Sequence, residues 1–234
     1  MIKLYEKNEL TFSLVWIGFY VVLYSAADNL STSLGTAKII TAPLSIVMAV
    51  VLLVWITRNG LKEKCGLCKV KADGRKYLFF FPLVIIASTN LWNGFALHMT
   101  LPETALYIVS MLCVGFIEEI IFRGFLFNAL RKDNVRQAII ISSLTFGIGH
   151  IVNLLNGAEL LETMLQICYA AAIGFLFTVI FYTSGSLIPC VITHSAINSL
   201  SAVAGTRTER SAIVGAVVLT AISLFYAIWI LKKR

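Results

Sequence analysis

Eight apolar runs, near 11–27, 37–57, 78–95, 105–127, 137–155, 164–183, 187–204 and 211–231, alternate with short polar stretches along the chain. Each approaches the ~20 residues that an α-helix needs to cross ~30 Å of hydrocarbon. The pattern predicts an all-α membrane protein, a polytopic bundle of about eight transmembrane helices, with 1–234 as a single transmembrane domain. No internal repeat, low-complexity tract or long linker divides it. The run 11–27 ends in Ser25, Ala26 and Ala27, which resemble a signal-peptide cleavage site. It is read as a retained span, because its apolar stretch is long for a signal peptide and the topology uses it.

Composition agrees: 59% of residues are hydrophobic, only 13% are charged, and the mean hydropathy is +0.87, outside the range of a soluble domain. Charge adds an orientation. The stretch 58–76 carries seven Lys and Arg and the stretch 128–137 three, whereas 29–36 is uncharged and 156–163 is acidic. Basic short loops stay on the cytoplasmic side, so a multi-pass protein of the cell membrane with both termini cytoplasmic is expected. Lys232, Lys233 and Arg234 agree, while Arg207 and Arg210 run against the rule. The net charge of +7 is thus a topology signal and a contact with anionic lipid of the bilayer; nucleic acid is not an expected partner.

Cys65 and Cys68 form a C-x-x-C in the basic loop without a second ligand pair nearby, and are expected to be reduced thiols. Cys113, Cys168 and Cys190 lie in apolar runs and read as small core residues.

Within the fourth run, GFIEEIIFRGF sets Glu118, Glu119 and Arg123 among residues otherwise fit for lipid. On an α-helix Glu119 and Arg123 share a face and form a sensible ion pair, whereas Glu118 points elsewhere and lacks a local partner. Ionisable side chains inside a membrane are functional candidates by default. Two of the three histidines, His150 and His194, also fall inside runs. Counted from the cytoplasmic ends, Glu118, His150 and His194 lie at depths of ~14, ~20 and ~11 Å, one layer within the error of the boundaries. Phe146 precedes His150 by four residues, Gly147 and Gly149 permit close approach, and Asn153 follows one turn later. His194 and Asn198 are four apart, so both can aim donors at one point. Packing alone accounts for Phe146, and interhelical polar contact for Asn153.

These three segments, EEIIFR at 118–123, FGIGH at 146–150 and HSAIN at 194–198, resemble in order the motifs of the CAAX prenyl endopeptidase and bacteriocin-processing family, also called CPBP or Abi, of intramembrane proteases. The family-like core spans about 78–204. The resemblance implies hydrolysis of a peptide bond in a membrane-embedded or lipidated peptide or protein at a cytoplasm-facing site. It implies Glu118 as the base that activates water, His150 as a residue that holds the water, and His194 with Asn198 as the oxyanion-stabilising pair. Glu119 and Arg123 resemble the supporting pair, and Phe146 and Asn153 count as supporting residues.

Two versions of the chemistry stay open. In the preferred one no cofactor is required. In the other, Zn²⁺ is bound by Glu118, His150 and His194, a ligand set that suits a catalytic metal with an open position. Ser184, Ser186, Ser195 and Ser199 lack a nucleophile elbow, and Asp28, Asp73 and Asp133 are expected in loops, which argues against serine and aspartyl hydrolases. The competing function is non-catalytic: a bacteriocin self-immunity factor, or a proton-coupled transporter using the same buried Glu and His.

Overall fold

The computed structural model describes residues 1–70, 75 and 80–233. Asp73, the start of the third run at 78–79 and Arg234 lie outside them. After a short helix α1 (Ile2–Lys7) come α2 (Glu9–Ser33), α3 (Thr41–Arg58), α4 (Phe80–Ser88) and α5 (Leu101–Glu119). A π-helical segment, Ile120–Phe127, continues α5. Helices α6 (Val135–Gly149), α7 (Leu160–Ser184), α8 (Ile188–Leu200) and α9 (Glu209–Lys232) complete the bundle. Among the described residues six helices have the length and hydropathy to cross a membrane, while the third and seventh runs form shorter apolar helices, Phe80–Leu91 and Ile188–Val203. Against the expected bundle of about eight, the described residues thus hold six long apolar helices and two shorter ones.

Local chemistry sets the ends of these helices. Thr100 and Glu103 form a reciprocal capping box at the start of α5, and Gly185, at φ 69°, ends α7 in the left-handed conformation that glycine adopts without a Cβ clash. Pro189 then lies in the first turn of α8, where its missing N–H costs nothing.

Contacts between loops show that the passages alternate. At the basic end Lys64 Nζ meets Glu9 Oε1 at 2.5 Å, Asn128 Nδ2 donates to the Lys64 carbonyl at 2.6 Å, and Leu187 N donates to the Gly66 carbonyl at 2.8 Å. At the opposite end Ala37 N donates to Glu103 Oε1 at 3.1 Å and Ala96 N to the Val203 carbonyl at 3.0 Å. Asp28, expected in a loop, is instead within α2 near this end, where it pairs with Lys38 at 2.8 Å.

Helix α7 packs between α6 and α9, α8 packs on α5 and α4, and α2 lies along the π-helical segment. Lipid tails supply no hydrophobic drive to bring helices together, so close approach through small residues does that work. A Cβ on Gly115 would stand 2.6 Å from Ser195 N, and one on Gly147 would stand 2.7 Å from Ala171 Cβ. These two glycines fix the α5/α8 and α6/α7 crossings one turn away from Glu119 and His150. Gly149, by contrast, has nothing near its missing Cβ. Large apolar side chains such as Val22, Phe81, Leu101, Val217 and Phe225 face outward, as a lipid-facing surface requires.

All five cysteines are free. Cys190 is buried as expected, but Cys168 is exposed on α7 and Cys113 is only half-buried, so neither is a core residue in full. Cys65 is fully buried at the end of the π-helical segment, its thiol 3.8 Å from the Gly124 carbonyl, and burial pushes that thiol up to about 12. Because the thiolate is the reactive form, Cys65 of the folded protein should stay unlabelled by maleimide at pH 7 to 9 and gain reactivity only as the pH approaches its raised value. Peptide mapping by mass spectrometry checks this; labelling of Cys65 at pH 7 equal to that in denatured protein would contradict the buried loop.

Candidate active site

Glu118 and Glu119 are the last residues of α5, where the helix changes from α to π. Single-turn π distortions concentrate at functional sites because the wider backbone re-aims neighbouring side chains. Here the whole segment Ile120–Phe127 is buried, and side chains from elsewhere satisfy its carbonyls: Ser142 Oγ donates to Phe122 O at 2.8 Å and Asn128 Nδ2 to Gly124 O at 2.8 Å.

The two glutamates diverge as the helical period requires. Glu119 is fully buried and its Oε1 accepts from Arg123 Nη1 at 3.0 Å and from His194 Nδ1 at 2.9 Å. The Arg123 guanidinium is also fully buried and lies 4.2 Å from the centroid of the Phe146 ring. Gly174 of α7 makes room for that stack, since a Cβ there would stand 2.9 Å from Arg123 Nη2 and 3.1 Å from Phe146 Cδ1. Glu118 keeps some exposure, with 14% of its side chain accessible, and its Oε2 lies 3.3 Å from His194 Nε2. Its Oε1 accepts a hydrogen bond from the hydroxyl of Tyr20 at 2.7 Å.

His194 therefore stands between the two glutamates, one ring nitrogen toward each. Phe146 packs edge-on against both histidines, its ring centroid 5.2 Å from His150 and 5.6 Å from His194. His150 caps the C-terminus of α6, and its Nδ1–H donates to the Phe146 carbonyl at 3.0 Å. A carbonyl only accepts, so this bond places the proton on Nδ1 and leaves Nε2 as an acceptor in the neutral ring. Glu118 and His194 both lie within electrostatic reach of His150.

The structure thus brings together Glu118, Glu119, Arg123, Phe146, His150 and His194 from α5, the π-helical segment, α6 and α8. Asn198 follows His194 by one turn on α8, half-buried, and its amide makes no hydrogen bond among the described residues. Asn153 is committed elsewhere: its Nδ2 donates to Gln166 Oε1 of α7 at 2.9 Å, tying the short helix Val152–Leu155 to α7 rather than orienting the His150 ring. Tyr20 is a residue of the site that the sequence pattern did not single out, because an aromatic residue in an apolar run looks like ordinary packing. The Glu119 contact with His194 was equally hidden, since it joins residues 75 positions apart.

Among the described residues no three His, Cys, Asp or Glu side chains converge as a metal-ligand set. Glu118 Oε2 and His194 Nε2 face each other at 3.3 Å, and the Glu119 carboxylate at 2.9 Å from Nδ1 fixes the orientation of the His194 ring.

Comparison with known proteins bears on the same region. Residues 100–200 match the family model described as Rce1-like, Type II CAAX prenyl endopeptidase Rce1-like. No curated protein and no solved structure matches the chain. The matched residues run from the capping box of α5 through α8 and contain all three motifs. On that match and on those motifs, residues 100–200 are similar to the CAAX prenyl endopeptidase family.

Proposed function

We propose that this membrane CAAX-type protease hydrolyses a peptide bond of a membrane-embedded or lipidated peptide by means of a water activated at Glu118, without a metal. The observation that carries the reading is the meeting of Glu118 and His194 at 3.3 Å, with His150 held beside them across the Phe146 ring. Three separate passages converge there on one partly open carboxylate.

Water is a poor nucleophile at neutral pH and needs a base within hydrogen-bond reach. Glu118 takes a proton from the water while His150 Nε2 accepts its second hydrogen and aims the oxygen at the substrate carbonyl. The C–O bond forms and the carbonyl oxygen becomes an oxyanion. His194 Nε2–H and the Asn198 amide donate to that oxygen, and such donors act most strongly where bulk water is excluded. A ring that donates Nδ1–H to Glu119 and Nε2–H to the oxyanion is an imidazolium, and the Glu119 carboxylate supplies its counter-charge. Glu118 then gives its proton to the leaving nitrogen as the C–N bond breaks, and the second proton of the water passes from the new carboxyl group to the freed amine, leaving a carboxylate and an ammonium group. The excess of Lys and Arg in the loops 58–76 and 128–137 supports a site facing the cytoplasm.

Purified protein in liposomes, freed of metal with a strong chelator, should hydrolyse membrane-associated peptides at its original rate and leave one ¹⁸O in each new carboxylate when H₂¹⁸O is the solvent. A rate lost on chelation and restored by Zn²⁺ would contradict the metal-free mechanism. Full activity in His194→Ala would contradict the roles assigned to the site.

A further inference from the structure

We propose that Tyr20, on a helix outside the matched residues 100–200, is a positioning residue for hydrolysis: its hydroxyl holds Glu118 Oε1 so that Oε2 is presented to the water and to His194. This rests on the base role assigned to Glu118 above.

The geometry is specific. Tyr20 is buried, its O–H donates to Glu118 Oε1 at 2.7 Å, and Glu118 Oε2 is left facing His194 Nε2 at 3.3 Å. An ionised carboxylate only accepts, so the phenol is the donor, and charge-assisted O–H···O⁻ bonds at such lengths are strong. A glutamate side chain in a helix has three rotatable bonds. Without a partner on Oε1 it samples several rotamers, of which few aim an oxygen at the reacting atom.

Two sets of contacts hold Tyr20 itself. Phe12, Trp16 and Tyr20 recur at intervals of four, forming one buried stripe of α2. At its lower end Phe12 packs edge-on against Phe125 of the π-helical segment with ring centroids 5.2 Å apart. One turn beyond Tyr20, the Tyr24 hydroxyl lies 2.7 Å from Ser110 Oγ of α5, and Ser110 Oγ lies 3.1 Å from Ser45 Oγ of α3. Ser110 and Glu118 are eight residues apart on α5, close to a common face, so the hydroxyl pair and the aromatic contact bracket Tyr20 against the glutamate. The Tyr20 and Tyr24 rings also touch, with centroids 5.3 Å apart. A phenylalanine at position 20 preserves every one of these ring contacts and removes only the bond to Glu118.

The test compares wild type, Tyr20→Phe, Tyr24→Phe and Glu118→Gln, each in liposomes and each with its thermal unfolding measured. Tyr20→Phe should lose ~10- to 100-fold in kcat at unchanged KM and near wild-type unfolding temperature, the scale of a hydrogen bond to a charged group. Tyr24→Phe, which loosens the seat of Tyr20 but keeps its bond to Glu118, should lose several-fold less kcat than Tyr20→Phe. A second readout needs no turnover: in protein labelled with ¹³C-glutamate, the infrared carboxylate band that vanishes in Glu118→Gln should shift in Tyr20→Phe. Unchanged kcat in Tyr20→Phe alongside an inactive Glu118→Gln, or an unmoved infrared band, overturns the proposal. Equal rates in wild type and Glu118→Gln overturn the hydrolase reading instead, and the band then still decides whether Tyr20 holds Glu118.

Discussion

Glu118→Gln is expected to lower the rate of peptide hydrolysis by about 10²- to 10⁴-fold, the range that a positioned general base supplies. The substitution keeps the shape and still accepts from Tyr20 through its amide oxygen, so the neighbouring packing survives. What it loses is the ability to take up a proton. Because Glu118 is the partly exposed member of the glutamate pair, and because its loss leaves the Glu119–Arg123–His194 contacts intact, thermal unfolding should change little. A rate assay beside a melting curve separates the two quantities, and a variant that loses both in parallel would make Glu118 a structural residue.

Arg123→Met should do the opposite. Arg123 and Glu119 are both fully buried, with Nη1 and Oε1 3.0 Å apart. Removing one partner of a buried pair leaves an uncompensated charge, at a cost of ~3–5 kcal/mol. The stack of the guanidinium on Phe146 is lost as well. The double variant Glu119→Leu with Arg123→Met removes both charges and should recover part of the lost stability, since apolar replacement of a whole buried pair is often neutral. It should not recover activity, because His194 Nδ1 then has no acceptor. Thermal unfolding in detergent and the liposome assay together measure this split. A double variant as active as wild type would show that Glu119 does not orient His194.

The contrast between these two variants shows what was legible in the sequence. Glu118, Glu119, Arg123, His150 and His194 stood out because ionisable groups are costly in lipid, and helical spacing was enough to divide Glu119 with Arg123 from Glu118. The apolar runs located the long apolar helices but not which runs would be shorter. Ile188–Val203 begins three residues after Gly185, whose left-handed backbone ends α7, and no hydropathy window weighs such a turn. Asn153 carried the same local signal as Asn198, four or fewer residues from a histidine, yet it bonds to Gln166 because α6 ends at Gly149 and the chain turns before it. The π-helical segment, the Tyr20 bond to Glu118 and the Glu119 bond to His194 depend on how helices cross. Those crossings are set by Gly115 against Ser195 and Gly147 against Ala171, pairs with no mark of their own in the order of residues.

The most direct measurement is a mass-spectrometric comparison of membrane-associated peptides in cells carrying wild type or Glu118→Gln at equal levels. Wild type should yield cleavage products, and the variant should instead accumulate the uncut precursors, which identifies the substrate in the same experiment. Identical peptide patterns, with both proteins folded and inserted, would contradict hydrolysis at Glu118 and favour a role through binding or transport.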